Sequence, residues 1–384
     1  KGRNMKTEQK RWTESEGWED IIRGNGIAEN AQLVFVFGGR NVLENSKLTD
    51  QISSWYPNAG RIFASTAGEI TDTEVTDDGL AVTAVYFEKS KVEFASAKVE
   101  NANDSFKAGE ELSRILNSKG KLRHVIIISE GLKVNGTELV KGISSNLPPG
   151  VTVTGGLAGD GAKFEVTTVG LNKSPESGIL AAVGLYGDSL KIGFGSQGGW
   201  SAFGDTLKIT KSKANVLYEL NGNSALSIYK NYLGESAKEL PGAALLFPLQ
   251  IQKEGSDPLV RTILSFDEKD GSMVFAGDMP EGASVNMMRA KLDNLIQGAE
   301  KSAAVSAEPL GDTSAEFALC VSCIGRKLVL KGRTNDELEA VRENLDEDTA
   351  ITGFYSYGEI APYNTNTKCE LHNQTMTVTL LAEA

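Results

Sequence analysis

Two short segments carry the same chemistry. Thr66-Ala67-Gly68-Glu69-Ile70 and Ser356-Tyr357-Gly358-Glu359-Ile360 each set a hydroxyl three residues before a carboxylate, with a glycine between. A carboxylate at a glycine-rich strand end can hold an ammonium group, and an arginine can fork a carboxylate with two parallel hydrogen bonds. Arg326, just after Cys323-Ile324-Gly325, supplies such a fork. Glu69 or Glu359 with Arg326 is therefore the pattern expected of a site that grips an amino acid or a similar small zwitterion. Taken singly, each of these residues fits a surface loop acid or a structural salt bridge equally well.

Other motifs lead away from catalysis. Gly193-Phe194-Gly195-Ser196-Gln197-Gly198 satisfies G-x-G-x-x-G, but the sequence continues into turn and strand, where a dinucleotide site needs the start of a helix. Cys320-Val321-Ser322-Cys323 with Cys369 and His372 can be written as a zinc pattern, yet Cys320 sits in an apolar strand, where residues three apart face opposite ways. The chain has only two histidines, His124 and His372. The first opens a buried strand and reads as structural; the second has no G-x-S-x-G elbow to serve. Binding without turnover is the expectation, with no enzyme activity and no metal.

These residues need strands to position them. Residues 34–37 read as a short buried strand ending at Gly38-Gly39, and residues 124–129 (HVIIIS) as a strand between two layers. Leu80, Val82, Ala84 and Tyr86 alternate, and with Val92 and Phe94 suggest an antiparallel hairpin. Helices are expected at 108–116 and 137–143, at 225–232 closed by Gly234, and over 288–303; Thr334-Asn335-Asp336-Glu337 has capping-box spacing for another. Hairpins are as frequent as crossovers, so the predicted class is α+β with predominantly antiparallel sheets. We expect a polar lead-in over 1–29, one domain over 30–215 and a second over 216–384.

Composition narrows the partners. Lys+Arg 39 against Asp+Glu 51 gives a net charge of −12, which repels phosphate backbones and anionic lipid, so neither nucleic acid nor a membrane is expected. No stretch approaches the ~18 consecutive apolar residues of a membrane span. The first twenty residues lack the apolar stretch of a secretory signal, and three cysteines make no disulfide framework, which predicts a cytoplasmic protein.

Several stretches together resemble the FIST family: STAGEI at 65–70, GGLAGD at 155–160, Gly199-Trp200, Tyr218-Glu219-Leu220-Asn221-Gly222, Ser322 to Arg326, GFYSYGEIAP at 353–362 and Leu371-His372-Asn373-Gln374-Thr375. The resemblance implies an N-terminal and a C-terminal domain forming a bacterial sensory module that binds a small polar ligand such as an amino acid. Some members look like haem proteins that report nitric oxide, so haem with His372 or His124 is the alternative expectation. The motif positions carried over as ligand-binding are Ser65, Thr66, Gly68, Glu69, Arg326, Tyr357, Glu359, His372 and Asn373, with Cys323, Gly325 and Gly358 beside them. No kinase or chemotaxis segment follows Ala384, so the output is expected to pass through a separate partner such as a histidine kinase or chemotaxis protein.

Overall fold

The computed structural model describes residues 3–24, 26–240 and 242–384. Three six-stranded sheets repeat one plan. In each, two parallel strands lie side by side: Leu33–Gly38 with Gly60–Ser65, Leu122–Ser129 with Thr152–Leu157, and Phe317–Cys323 with Ala350–Ser356. A long antiparallel strand flanks the first of each pair: Leu80–Tyr86, Ile179–Tyr186 and Met376–Glu383 respectively. A short strand flanks the second, and it comes from a different repeat each time: Val169–Leu171, Gly358–Ala361 and Glu69–Thr71. The exchange is cyclic, first repeat to third sheet, second to first, third to second.

Where the exchanged strands leave their repeats, three equivalent hydrogen bonds link one repeat to the next. The Ala67 N–H donates to Tyr355 O (2.8 Å), the Gly159 N–H to Ser65 O (2.9 Å) and the Tyr357 N–H to Leu157 O (3.1 Å). Inside, Phe35, Ile126, Val183, Phe317 and Phe354 from all three sheets form one buried cluster. The alternate faces pack against helices, with Val125 and Ile127 in the outer cluster, so the HVIIIS strand is buried on both sides as expected. Close approach fixes two strand glycines at equivalent positions. A Cβ on Gly155 or Gly353 would lie 1.8 or 1.7 Å from the carbonyl oxygens of Ile127 and Cys320.

Two expectations change. The stretch read as a polar lead-in contributes a hairpin, Lys6–Thr13 with Gly17–Ile22, that extends the first sheet beside Leu80–Tyr86. The predicted hairpin of Leu80–Tyr86 with Lys91–Lys98 does not form, because the second strand pairs with Ile179–Tyr186 in another sheet. Local alternation marks both as strands, but partner choice is a property of the three-sheet arrangement.

Between Leu190–Gln197 and the helix Leu292–Ala307, the chain makes a lobe with its own core, including Ile209, Leu217, Tyr229, Phe275 and Val285. Its sheet is wholly antiparallel, and the edge strands Leu259–Arg261 and Ile263–Asp267 are joined through Thr262 alone, so the sheet rolls round on itself. Helix Ala225–Leu233 ends at Gly234 as predicted. The helix expected from 288 begins at Leu292, since Met288 belongs to the strand Ser284–Ala290. The architecture is α+β with mostly antiparallel pairing. Strands from before and after residue 215 share sheets, and no helix among the described residues is long and apolar enough to cross a membrane.

Candidate functional site

The echoed segments form two of the three corners where the repeats exchange strands, and in both a hydroxyl three residues before the carboxylate donates to it. Thr66 Oγ1 donates to Glu69 Oε1 (2.6 Å), while Oε2 accepts the Gly79 N–H (3.0 Å). Ser356 Oγ donates to Glu359 Oε1 (2.5 Å), while Oε2 accepts from Thr375 N (3.2 Å) and Oγ1 (2.9 Å). Burial disfavours the charged form and raises each carboxyl's pKa to about 8 against these donors. Both side chains are internal knots at strand ends. The third corner departs from this pattern: Asp160 there accepts N–H bonds from Phe164, Glu165 and Val166 and the hydroxyl of Tyr357.

Arg326 holds a carboxylate through two donors that converge on one oxygen, and that carboxylate is the chain's own Glu337. Nε and Nη2 reach Glu337 Oε2 at 3.0 and 2.7 Å, Nη2 also reaches Leu295 O, and Nη1 donates to Gly198 O. Both residues are fully buried. Tyr355 and Ser322 donate to the other oxygen of Glu337. Glu337 was expected to close a capping box on Thr334; the helix Thr334–Arg342 has no such side-chain cap, and the residue serves Arg326 instead. The fork read as open to ligand is thus occupied from within. Ser65, Thr66, Gly68 and Glu69 lie at one corner near Lys327, whereas Glu359, which pairs with His372 and lies within electrostatic reach of Arg326, stands at another with Asn373, and the Tyr357 side chain turns to Asp160 and Phe164.

That second group borders the seam between the three-repeat core and the lobe. Gln374 Nε2 reaches Thr262 Oγ1 (3.1 Å), and Trp200 Nε1 donates to Gln374 O (2.8 Å). Four buried polar atoms in three consecutive residues have no partner among the described residues: His372 Nδ1, Asn373 Nδ2 and Oδ1, and Gln374 Oε1. An orphaned buried polar atom costs about 1–3 kcal/mol, and such atoms normally meet water or a ligand. Close by, a cleft of about 280 Å³ is lined by Trp200, Tyr363, Asp257 and Thr375. The ring of Tyr363 lies edge-on to His372 at 4.3 Å.

Arg261 crosses this seam, and sequence reading missed it. It ends the lobe strand Leu259–Arg261, is 2% exposed, and donates through Nη1 to Leu371 O in the core (2.8 Å) and through Nε to Asp278 O (3.4 Å). Nη2 has no hydrogen bond, and no carboxylate stands at ion-pair distance, among the described residues. Burial lowers its pKa; Glu370 and Asp278 oppose that only through space. A lone arginine inside the apolar run 259–264 (LVRTIL) was the available signal. Gly277 packs on the guanidinium, where a Cβ would come within 2.8 Å of Nε. The same glycine lines a cavity of about 170 Å³ between core and lobe, together with Tyr357.

Other features are closed. The G-x-G glycines 193 and 195 lie in a strand and admit the backbone of the helix Leu292–Ala307, where a Cβ would fall 1.8 Å from Ser306 O and 2.5 Å from Ser302 O. A surface depression of about 790 Å³ mixes Arg3 and Arg342 with Asp348 and Asp72, which pair with one another across it. A haem iron needs an imidazole nitrogen facing open space. His124 commits both nitrogens to Thr152 and Thr154 (2.7 and 2.9 Å). His372 commits Nε2 to Ala361 O (2.7 Å); its Nδ1 has no partner among the described residues, but the side chain lies 1% exposed under Tyr363 and lines neither seam cavity, so that nitrogen faces no open space. These residues do not fit a haem.

Family models match nearly the whole chain: the FIST N domain over residues 32–223 and the FIST C domain over 225–362. No curated protein matches the chain.

Proposed function

The chain belongs to the FIST family, whose domains are associated with signal-transduction sensing, and on that premise we propose that it senses a small polar molecule bearing a carboxylate, such as an amino acid, at the seam between core and lobe. The observation that carries this reading is Arg261, a buried guanidinium spanning the seam without an ion-pair partner among the described residues. A buried cation without a counter-ion costs on the order of several kcal/mol, and a ligand carboxylate removes that cost in the bidentate geometry arginine favours. Since the ligand touches both bodies, binding changes how core and lobe close, and a separate signalling partner reads that change. Turnover forms no part of this reading: the buried thiols of Cys320 and Cys323 have raised pKa values, and both histidines are buried, with pKa values lowered by that burial.

The test is thermal unfolding of the purified protein against amino acids and small carboxylates. A ligand that binds only the folded state adds about 2.7 kcal/mol at 100 times its dissociation constant, which is several degrees. A selective shift is expected in the wild type, none in Arg261→Met, and a partial one in Arg261→Lys, which keeps the charge without the fork. A shift that persists in full in Arg261→Met overturns the assignment.

A further inference from the structure

We infer that the seam selects ligands with a compact apolar side chain, an aromatic ring or a branched aliphatic group, which enters the cavity beside Arg261; the inference rests on the sensory reading above. The cavity holds about 170 Å³. An apolar cavity of roughly 150 Å³ is enough to bind benzene. Its walls include Leu132, Val134, Phe164 and Tyr357 from the core and Leu264 and Phe275 from the lobe, and none of its lining side chains is charged. The two amides that border it are already engaged: Asn135 Nδ2 with Asp278 (3.2 Å) and Oδ1 with the Glu138 N–H (3.1 Å), and Asn215 Nδ2 with Phe275 O (2.8 Å). A charged or long polar group placed there loses its water without gaining a partner, so the walls discriminate by desolvation.

Two observations mark this cavity as a site and not a packing gap. Leu264 and Leu132, the most exposed large apolar side chains among the described residues at 49% and 39%, both line it, so apolar surface stays wet at its mouth. The core loops that shape it are also pinned in advance. Asp160 gathers the N–H groups of Phe164, Glu165 and Val166 at 2.9–3.0 Å. Glu130 gathers those of Leu132 and Lys133 and the hydroxyl of Thr167. Tyr357 stacks flat on Phe164, with centroids 4.3 Å apart and planes 14° from parallel. A cavity held open without ligand needs little ordering on binding. Gly277 belongs to this wall and packs on Arg261, so the apolar cavity neighbours a guanidinium whose Nη2 has no hydrogen bond among the described residues.

Calorimetric titration of the full chain separates the two ideas. L-phenylalanine or L-leucine is expected to bind at least tenfold more tightly than glycine, L-glutamate or L-lysine. Benzyl alcohol, which has the ring without the carboxylate, is expected to bind weakly but saturably. Ala276→Phe, which fills the cavity from the lobe, should weaken phenylalanine and benzyl alcohol at least tenfold; Leu264→Asp, at an exposed position that tolerates change, should weaken both as well. Arg261→Met should lose phenylalanine but keep benzyl alcohol. Glycine or glutamate binding as tightly as phenylalanine, with Ala276→Phe and Leu264→Asp without effect, overturns the apolar selection and leaves the sensory reading standing. Benzyl alcohol binding while no carboxylate does overturns the sensory reading and leaves the cavity assignment. Absence of binding by every probe overturns both.

Discussion

At the scale of single residues, the buried titratable groups pull stability in opposite directions with pH. Glu69 and Glu359 have folded pKa values near 8 against about 4.5 unfolded, so their contribution is fully present below pH 4.5 and is lost as pH rises toward 8. His124 and His372 are lowered by burial to about 3 and about 4 from 6.5, so their contribution is present above pH 6.5 and lost as pH falls through those values. Two carboxyls and two imidazoles offset each other between about pH 4.5 and 6.5, which predicts a stability plateau there and a decline on both sides. Above pH 6.5 each carboxyl contributes a slope of up to about 1.4 kcal/mol per pH unit. Urea midpoints of Glu359→Gln should show about half the wild-type decline between pH 6.5 and 8; an unchanged decline locates its source elsewhere. Sequence reading found these carboxylates from their spacing to a hydroxyl, because that spacing builds a local hydrogen bond. It could not tell that they face inward, which depends on sheets formed from distant parts of the chain. Arg326 was legible as a fork and Glu337 as a helix-start acid, but their meeting is a tertiary fact.

Among elements, apolar runs announced the central buried strands, such as 33–38, 122–129 and 317–323, since period and composition are local properties, but not the polar hairpin of 6–13 and 17–22. Pairing was less legible: 80–86 and 91–98 look like a hairpin and enter different sheets. The threefold plan left a trace at two of its three corners, where a hydroxyl, a glycine and a glutamate recur; elsewhere many apolar residues fill the same place. Gly155 and Gly353 are a second trace, occupying matching positions where a neighbouring strand's carbonyl comes too close for any side chain. Phe63 stands at the equivalent position of the first repeat, so the requirement belongs to two repeats and not to the plan itself. Gly353→Ala is therefore expected to destabilise by about 1–3 kcal/mol through backbone displacement. Gly222→Ser, at an open turn with nothing near its Cβ, should lose only what its positive φ costs, about 1 kcal/mol. Equal denaturation midpoints for Gly353→Ala and wild type would show that the strands separate without strain.

For the molecule as a whole, the decisive contrast is between two buried arginines that both tie core to lobe. Arg326 is enclosed with its counter-ion, and its Nη1 reaches Gly198 at the root of the lobe. Arg261 reaches Leu371 across the seam with no counter-ion beside it among the described residues. Removing one member of a buried ion pair strands the other, at a cost of about 3–5 kcal/mol, so Arg326→Met should be severely destabilising through Glu337. Removing a buried cation that has no partner also removes its desolvation penalty, and this offsets the roughly 1.5–3 kcal/mol of its hydrogen bonds to carbonyl oxygens. Arg261→Met is therefore expected to stay within about 1 kcal/mol of wild type without ligand, while losing the stabilisation that ligand confers on the wild type. Such a residue serves binding at little benefit to the fold. Paired urea titrations of the two variants, each with and without phenylalanine, make the comparison directly. If Arg261→Met unfolds as readily as Arg326→Met and responds to phenylalanine like wild type, Arg261 is a structural tie, and the ligand lies elsewhere along the seam.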